Sequence, residues 1–128
     1  MNSQLINPVD GVYAAAPDYA HAIRLEEARS LVFVSGTMGL DRSGRAPATL
    51  AEQLVLVWEN LRRILATAGM TLDNVVRVTS YLRDGAFAGP NKDARIAALG
   101  GRPVPTTAIV VQTLEEDWLV EIEVIAAA

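Results

Sequence analysis

The residues best placed for chemistry are Glu121 and Glu123, two carboxylates one residue apart in the closing stretch Trp118-Leu119-Val120-Glu121-Ile122-Glu123-Val124-Ile125. Side chains on a β-strand alternate between faces, so Trp118, Val120, Ile122 and Val124 share one apolar face. Leu119, Glu121, Glu123 and Ile125 share the other. Acids two apart on a strand stand roughly 7 Å from each other, close enough for each charge to disfavour the other. A carboxyl group held in a partly dry cleft has a raised pKa and can move protons near neutral pH. The alternative is that both acids face water from a half-buried sheet, and on this strand alone that arrangement is the simpler one.

Other polar residues offer less. Ser35 ends an apolar run just before Gly36, where its amide and hydroxyl could face a ligand. It is no nucleophile, because no recognised motif sets a histidine base beside it. His21 is the only histidine and cannot by itself build a zinc site, and the absence of cysteine excludes disulfides and thiolate chemistry. Thr106 and Thr107 can donate hydrogen bonds, which suits a neutral polar ligand better than a carboxylate. Asn91 either bonds a ligand or begins a helix. Trp58 and Trp118 read as packing residues.

Composition narrows the partners. The 128 residues fit one domain, residues 1–128, and 51% are apolar, enough for a dense core. Aromatics at 5%, a net charge of −4 and no basic run argue against nucleic acid or an anionic membrane as partner. With no signal-peptide pattern at Met1-Asn2-Ser3-Gln4 and no apolar run of membrane-spanning length, a cytoplasmic location is expected.

The elements that must position these residues follow from period and punctuation. Residues up to about Tyr19 read as irregular. Ala22–Leu25 and Leu31–Ser35 read as strands joined in a hairpin by residues 26–30, and Gly36, Gly39, Ser43 and Gly44 as the loop that follows. Thr49-Leu50-Ala51-Glu52 has the capping-box form, and Leu50, Leu54, Val57, Leu61, Ile64, Leu65 and Ala68 make one apolar helix face up to Gly69. Val75–Leu82 alternates as a strand. A second helix is expected from Pro90 to Leu99, stopped by Gly100-Gly101. Thr106–Val111 and Leu119–Ala126 are the closing strands. The order β-β-α-β-α-β-β predicts an α+β layer with two helices on one face of a mixed sheet. The last strand is apolar on both faces, so the uncovered face calls for oligomerisation.

In that order and spacing the chain resembles the Rid/YjgF family of reactive-intermediate deaminases. The likeness runs over Tyr19-Ala20-His21-Ala22, Leu31-Val32-Phe33-Val34-Ser35-Gly36, Gln53 to Asn60-Leu61 with Ile64-Leu65 and Ala68-Gly69, Asp73-Asn74-Val75-Val76-Arg77-Val78-Thr79, Phe87 with Asn91, and Leu119 to Ala126. The resemblance implies a chorismate-mutase-like homotrimer with a ligand cleft at each subunit interface and no metal or organic cofactor. It implies imine or enamine hydrolysis, with Glu121 orienting water or transferring a proton and Tyr19 walling the cleft. Tyr19 reads equally as a buried aromatic. An arginine that family members use to pair the substrate carboxylate is missing: Pro105 or Thr106 stands there, according to the direction of counting, and neither can form a bidentate clamp. Arg102 lies nearby on a Gly-Gly-Arg-Pro loop as a candidate substitute, and Ala94 stands where the family has a tyrosine. Glu123 reads as a structural neighbour of Glu121, paired across strands with Arg77. The expectation is a divergent hydrolase or deaminase for a small imine, enamine or related carbonyl compound, with Glu121 as general acid/base and Tyr19, Ser35, Asn91, Thr106, Thr107 and Arg102 about the ligand. The alternative is a trimer that binds a metabolite or a partner enzyme without chemistry.

Overall fold

The computed structural model describes all of residues 1–128. Seven strands and two helices run in the order β1 (Asn2–Ile6), β2 (Tyr19–Ala20), β3 (Ala22–Glu26), β4 (Leu31–Met38), α1 (Leu50–Thr67), β5 (Val75–Leu82), α2 (Ala88–Ala98), β6 (Val104–Val110) and β7 (Val120–Ala127). Five strands form a mixed sheet in the order β2-β6-β5-β7-β4. β6 runs parallel to β2 and β5, while β7 is antiparallel to both β5 and β4. The C-terminal strand is therefore central, hydrogen-bonded on both sides. The α+β layer of two helices against a mixed sheet is as expected.

Helix α1 forms where its apolar period is strongest. Leu54, Val57, Leu61 and Leu65 are buried against the sheet, while Ile64 falls off that face and is exposed. Burying each such side chain is worth about 1.5–3 kcal/mol. Thr49 Oγ1 accepts the Glu52 amide at 3.2 Å, and the Glu52 carboxylate takes the Thr49 hydroxyl at 2.8 Å. Gly69, at φ 75°, takes the left-handed turn that ends the helix. Helix α2 starts at Ala88, two residues earlier than Pro90 suggested, so Pro90 sits in its first turn, where a missing amide costs nothing.

Three sequence expectations are corrected. Residues 2–6 are not irregular: they form β1, antiparallel to β3 with Ser3 opposite Leu25. β3 and β4 are not a hairpin. β3 pairs with β1 in a separate two-stranded sheet, while β4 takes the edge beside β7, with Val34 opposite Val124. Gly36 is not in a loop but inside β4, at a register shift between Val34 and Thr37. A glycine within a strand commonly marks such a bulge.

The core lies between helices and sheet, where Val78, Val120, Ile122 and Val124 of β5 and β7 meet Leu61 and Leu65. The opposite face has no helix on it. Glu121, Glu123 and Ile125 of β7 and Arg77, Thr79 and Tyr81 of β5 are half-buried there, while Phe33 on β4 is 72% exposed. Arg95 in α2 is buried and bonds Asp18 through both its carbonyl and its carboxylate, each at 2.7 Å. That contact holds the Asp18 carboxyl below its usual range and fixes the chain entering β2.

Gln53, fully buried on α1, fixes the approach to β7. Its amide nitrogen donates to the carbonyls of Pro47 and Asp117 at 2.8 Å each, and its Oε1 accepts the Leu119 amide at 3.0 Å. Gln53→Leu would leave these part-buried backbone groups without their partner. It is expected to cost about 3 kcal/mol, with a lowered Tm and an unchanged far-UV spectrum. A variant as stable as wild type would show that the clamp does not hold the strand's entry.

Candidate functional site

β7 delivers Glu121 and Glu123 side by side onto the helix-free face. Glu121 lies directly opposite Tyr81 on β5 and Met38 on β4, and Glu123 lies opposite Thr79. The Tyr81 hydroxyl donates to Glu123 Oε1 at 2.5 Å, a diagonal contact across two rungs. Glu121 Oε2 packs over Gly36, where any Cβ would overlap it. A cleft of about 320 Å³ opens there, lined by Tyr81, Gln112, Thr113, Leu114, Glu121 and Glu123 among others.

The loop walling this cleft is held from beneath. Arg83, just past the end of β5, donates to Thr113 Oγ1 at 2.7 Å and to the Thr113 carbonyl at 2.8 Å. Thr113 is buried, and its hydroxyl lies 2.9 Å from the Glu115 carbonyl and 2.7 Å from that of Trp118. Leu114 is left projecting at the rim, almost fully exposed.

The electrostatics follow from this packing. Partial burial, and then the charge of Glu123, push the Glu121 carboxyl above its ordinary value. The hydrogen bond to Glu123 pushes the Tyr81 phenol up, so it stays a neutral donor. The cleft thus holds the raised Glu121 carboxyl beside Glu123, which the Tyr81 hydroxyl holds in place. The expected ion pair of Arg77 with Glu123 does not form. The register puts Arg77 opposite Ile125, and its guanidinium donates to Thr107 Oγ1 at 2.8 Å instead.

The other expected site residues are dispersed within one chain. Ser35 is exposed on β4, lining a second cavity with Phe33, Arg77, Thr79 and Glu123. Thr107 faces the same side through its bond to Arg77. Thr106 is on the opposite side of β6, paired with Val78, its hydroxyl donating to the Val104 carbonyl at 3.0 Å. Arg102 donates to the carbonyls of Leu72 and Val75 at 3.0 and 3.3 Å, so its guanidinium bonds main chain rather than the acid cleft. Asn91 is 3% exposed in α2, its Oδ1 without a hydrogen-bond partner in the chain. Tyr19 stands at the β2 edge, its ring edge-on to His21 at 6.0 Å. β2 and β4 are opposite edges of the sheet, roughly 19 Å apart, so Tyr19 and Ser35 cannot share a small ligand within one chain.

Sequence reasoning missed Tyr81, Arg77 and Gly36 as parts of the site. The alternation of Arg77, Thr79 and Tyr81 on one strand face was a visible signal for the first two. No local signal tells that Gly36 makes room for Glu121.

A mixed sheet with two helices on one face and paired acids on the other defines the class of fold, and comparison with known proteins gives the family. Residues 11–128 match the family model described as endoribonuclease L-PSP. The chain is 31% identical over 110 residues to a RutC family protein of Pyrococcus horikoshii, covering 84% of this chain and 85% of that one. It is 32% identical over 116 residues to the 2-iminobutanoate/2-iminopropanoate deaminase of Mus musculus, covering 88% and 83%. Among solved structures, YyfB of Yersinia pestis, a Rid-family protein of unknown function, matches with a TM-score of 0.84 at 27% identity, with both chains covered in full. The chain belongs to the endoribonuclease L-PSP family, the YjgF/Rid proteins. No helix is long and apolar enough to cross a membrane.

Two expectations test the site. Because the folded Glu121 carboxyl holds its proton to higher pH than the unfolded one, stability falls as pH rises from the ordinary carboxyl range through the raised value. Glu121→Gln should therefore be more stable than wild type at pH 7, with the difference fading as pH falls through that range in denaturant titrations. A gap that widens toward acid would contradict the desolvated placement. Gly36→Ala should keep the fold, because the group it displaces is the free end of the Glu121 side chain. A crystal structure of that variant with the Glu121 carboxyl unmoved would contradict the packing described.

Proposed function

We propose that the protein is a Rid-type hydrolase that converts a small imine, or the enamine that tautomerises to it, into a carbonyl compound and ammonia. The observation that carries this reading is Glu121, a carboxyl raised above its ordinary value, packed over Gly36 in a cleft beside Glu123. A carboxyl of raised pKa supplies a proton and takes one back near neutral pH. In the protonated form, Glu121 gives its proton to the imine nitrogen, or to the enamine carbon during tautomerisation. As carboxylate, it takes a proton from the water that attacks the C=N carbon. The carbinolamine nitrogen then takes that proton from Glu121, the C–N bond breaks with the electron pair leaving on nitrogen as ammonia, and the hydroxyl returns its proton to the Glu121 carboxylate as the C=O bond forms.

The working unit in this reading is a cytoplasmic homotrimer with ligand clefts between subunits. The exposure of Phe33, Leu31 and Ile109 on and beside the helix-free face supports an assembly that covers it. So does the position of Tyr19 and Ser35 on opposite sheet edges, since only a neighbouring subunit could bring one edge to the other. Asn91 and Thr106 would contribute from their elements only in such an assembly. The deaminase name of the mouse relative supports the reaction class. The ribonuclease description of the family has no support in this chain's charge: a net −4 and no basic stripe would repel a phosphate backbone.

The second reading, a trimer that binds a metabolite or partner without turnover, is favoured by one observation: Pro105 and Thr106 stand where a carboxylate-pairing arginine would be expected. Turnover of imines generated in situ from neutral and carboxylate-bearing amines separates the two. Wild type should release ammonia from at least one member, and Glu121→Gln and Glu121→Ala should each lower the rate about 10²-fold or more. Wild-type turnover that survives both substitutions would overturn the role of Glu121. Ligand binding without turnover on any member would establish the second reading.

A further inference from the structure

Arg95 is the only charged residue buried in the chain, its side chain 6% exposed. Taking a guanidinium out of water is costly even when it is paired, so a buried pair adds little stability over an apolar one. What this pair supplies is a fixed geometry. Nη1 donates to the Asp18 carbonyl and Nη2 to Asp18 Oδ2, each at 2.7 Å, and Lys92 Nζ stands 3.9 Å from Oδ1. Both cations come from α2, and both converge on the residue immediately before Tyr19.

The local chain would not hold Tyr19 unaided. Ala14-Ala15-Ala16-Pro17 before it has no side chain that can form a hydrogen bond. β2 is two residues long at the edge of the sheet, and Pro105, the partner of Ala20 on β6, has no amide to donate. Tyr19 has no bond of its own to protect, either. Of the three tyrosines, Tyr81 is the one whose hydroxyl donates within the chain, and the Tyr19 ring meets His21 edge-on at 6.0 Å. Arg95 also ties Tyr19 to a second polar group. Asn91 lies one turn before Arg95 on the same face of α2, about 5–6 Å away between Cβ atoms. Both are buried, and Asn91 Oδ1 is likewise without a partner in the chain. A buried arginine thus joins the two elements that carry a free phenol and a free amide oxygen.

We propose that Arg95 is a positioning residue: acting through Asp18, it fixes Tyr19 against α2 so that the phenol meets a ligand in a set relation to Asn91. Arg95 itself touches no substrate. The inference rests on the hydrolase reading for the kind of ligand, an imine or enamine, but not for the placement of the ring. Glu121 is three strands away on β7, so replacing Arg95 leaves that carboxyl where it is.

The test uses the full-length protein, in whatever assembly it adopts, with ¹³C-labelled tyrosine and the ring signals assigned by replacing each tyrosine with Phe. Arg95→Met should move the Tyr19 ring signals toward those of a free tyrosine and leave those of Tyr81 in place. Arg95→Lys, which keeps a charge for the Asp18 carboxylate, should restore part of the wild-type positions. Turnover of imines formed in situ from the same panel of amines then separates positioning from plain support of the fold. Arg95→Met should lower kcat/KM about tenfold or more in the wild-type background, but less than about threefold where Tyr19 is already replaced by Ala. If Arg95→Met does not fold with Asp18 left unpaired, Arg95→Met with Asp18→Asn removes both charges and is read in the same way. Tyr19 signals unmoved by the loss of Arg95, a shift shared equally by Tyr81, or equal losses of kcat/KM in the two backgrounds would each overturn the proposal. No turnover by wild type would instead remove the hydrolase reading, and the ring signals alone would then decide whether Arg95 sets Tyr19.

Discussion

The constraint on which the site depends is the placement of two acids on the middle strand of a sheet. β7 is hydrogen-bonded to β5 and β4 at once, so it can neither slip nor twist its side chains away. Its alternation gives Val120, Ile122 and Val124 to the core, and the same period forces Glu121 and Glu123 onto the helix-free side. A one-residue slip would bury both carboxylates among Leu61 and Leu65, at a cost of several kcal/mol for each. The hydrophobic core thus holds the acids in register: what fixes Ile122 also fixes Glu121.

Two neighbours then give the acids different environments. Gly36, at the β4 irregularity, lets Glu121 lie against backbone, and the resulting loss of water is the larger part of its raised pKa. Tyr81 bonds Glu123 and draws it toward the cleft rather than toward Arg77. Of two identical side chains, one is thereby packed against backbone and the other bonded to a phenol. The same bond draws Glu123 away from Arg77, whose guanidinium donates to Thr107 instead.

Much of this was legible in the chain because it rests on local period. Thr49, the spacing of Leu54, Val57, Leu61 and Leu65, and the left-handed Gly69 announce α1, and the split faces of β7 follow from alternation alone. β1 was not legible, since Asn2 to Ile6 is exposed throughout and has no buried period; its strand character comes from pairing with β3. β3 and β4 form no hairpin despite their adjacency in sequence, because β4 pairs with the distant β7 and β3 with β1. Arg77 and Glu123 looked like a pair because opposite charges on neighbouring strands attract. The register sets Arg77 against Ile125, diagonal to Glu123, and Tyr81 takes up Glu123 from the other side while Thr107 takes up Arg77. The sequence gives no direction for the loop that carries Arg102, the candidate substitute for the clamp, and in the fold the carbonyls of Leu72 and Val75 take it up.

The Glu121 carboxyl itself offers the most direct measurement. A ¹³C NMR pH titration that follows its side-chain carboxyl signal in the assembled protein reports its protonation midpoint without reference to any substrate. The midpoint should lie above that of an ordinary glutamate and move down toward it when Glu123 is replaced by Gln. A midpoint at or below the ordinary value, unmoved by that replacement, would mean that the acid stands in open water. The sheet would then hold no proton-handling site.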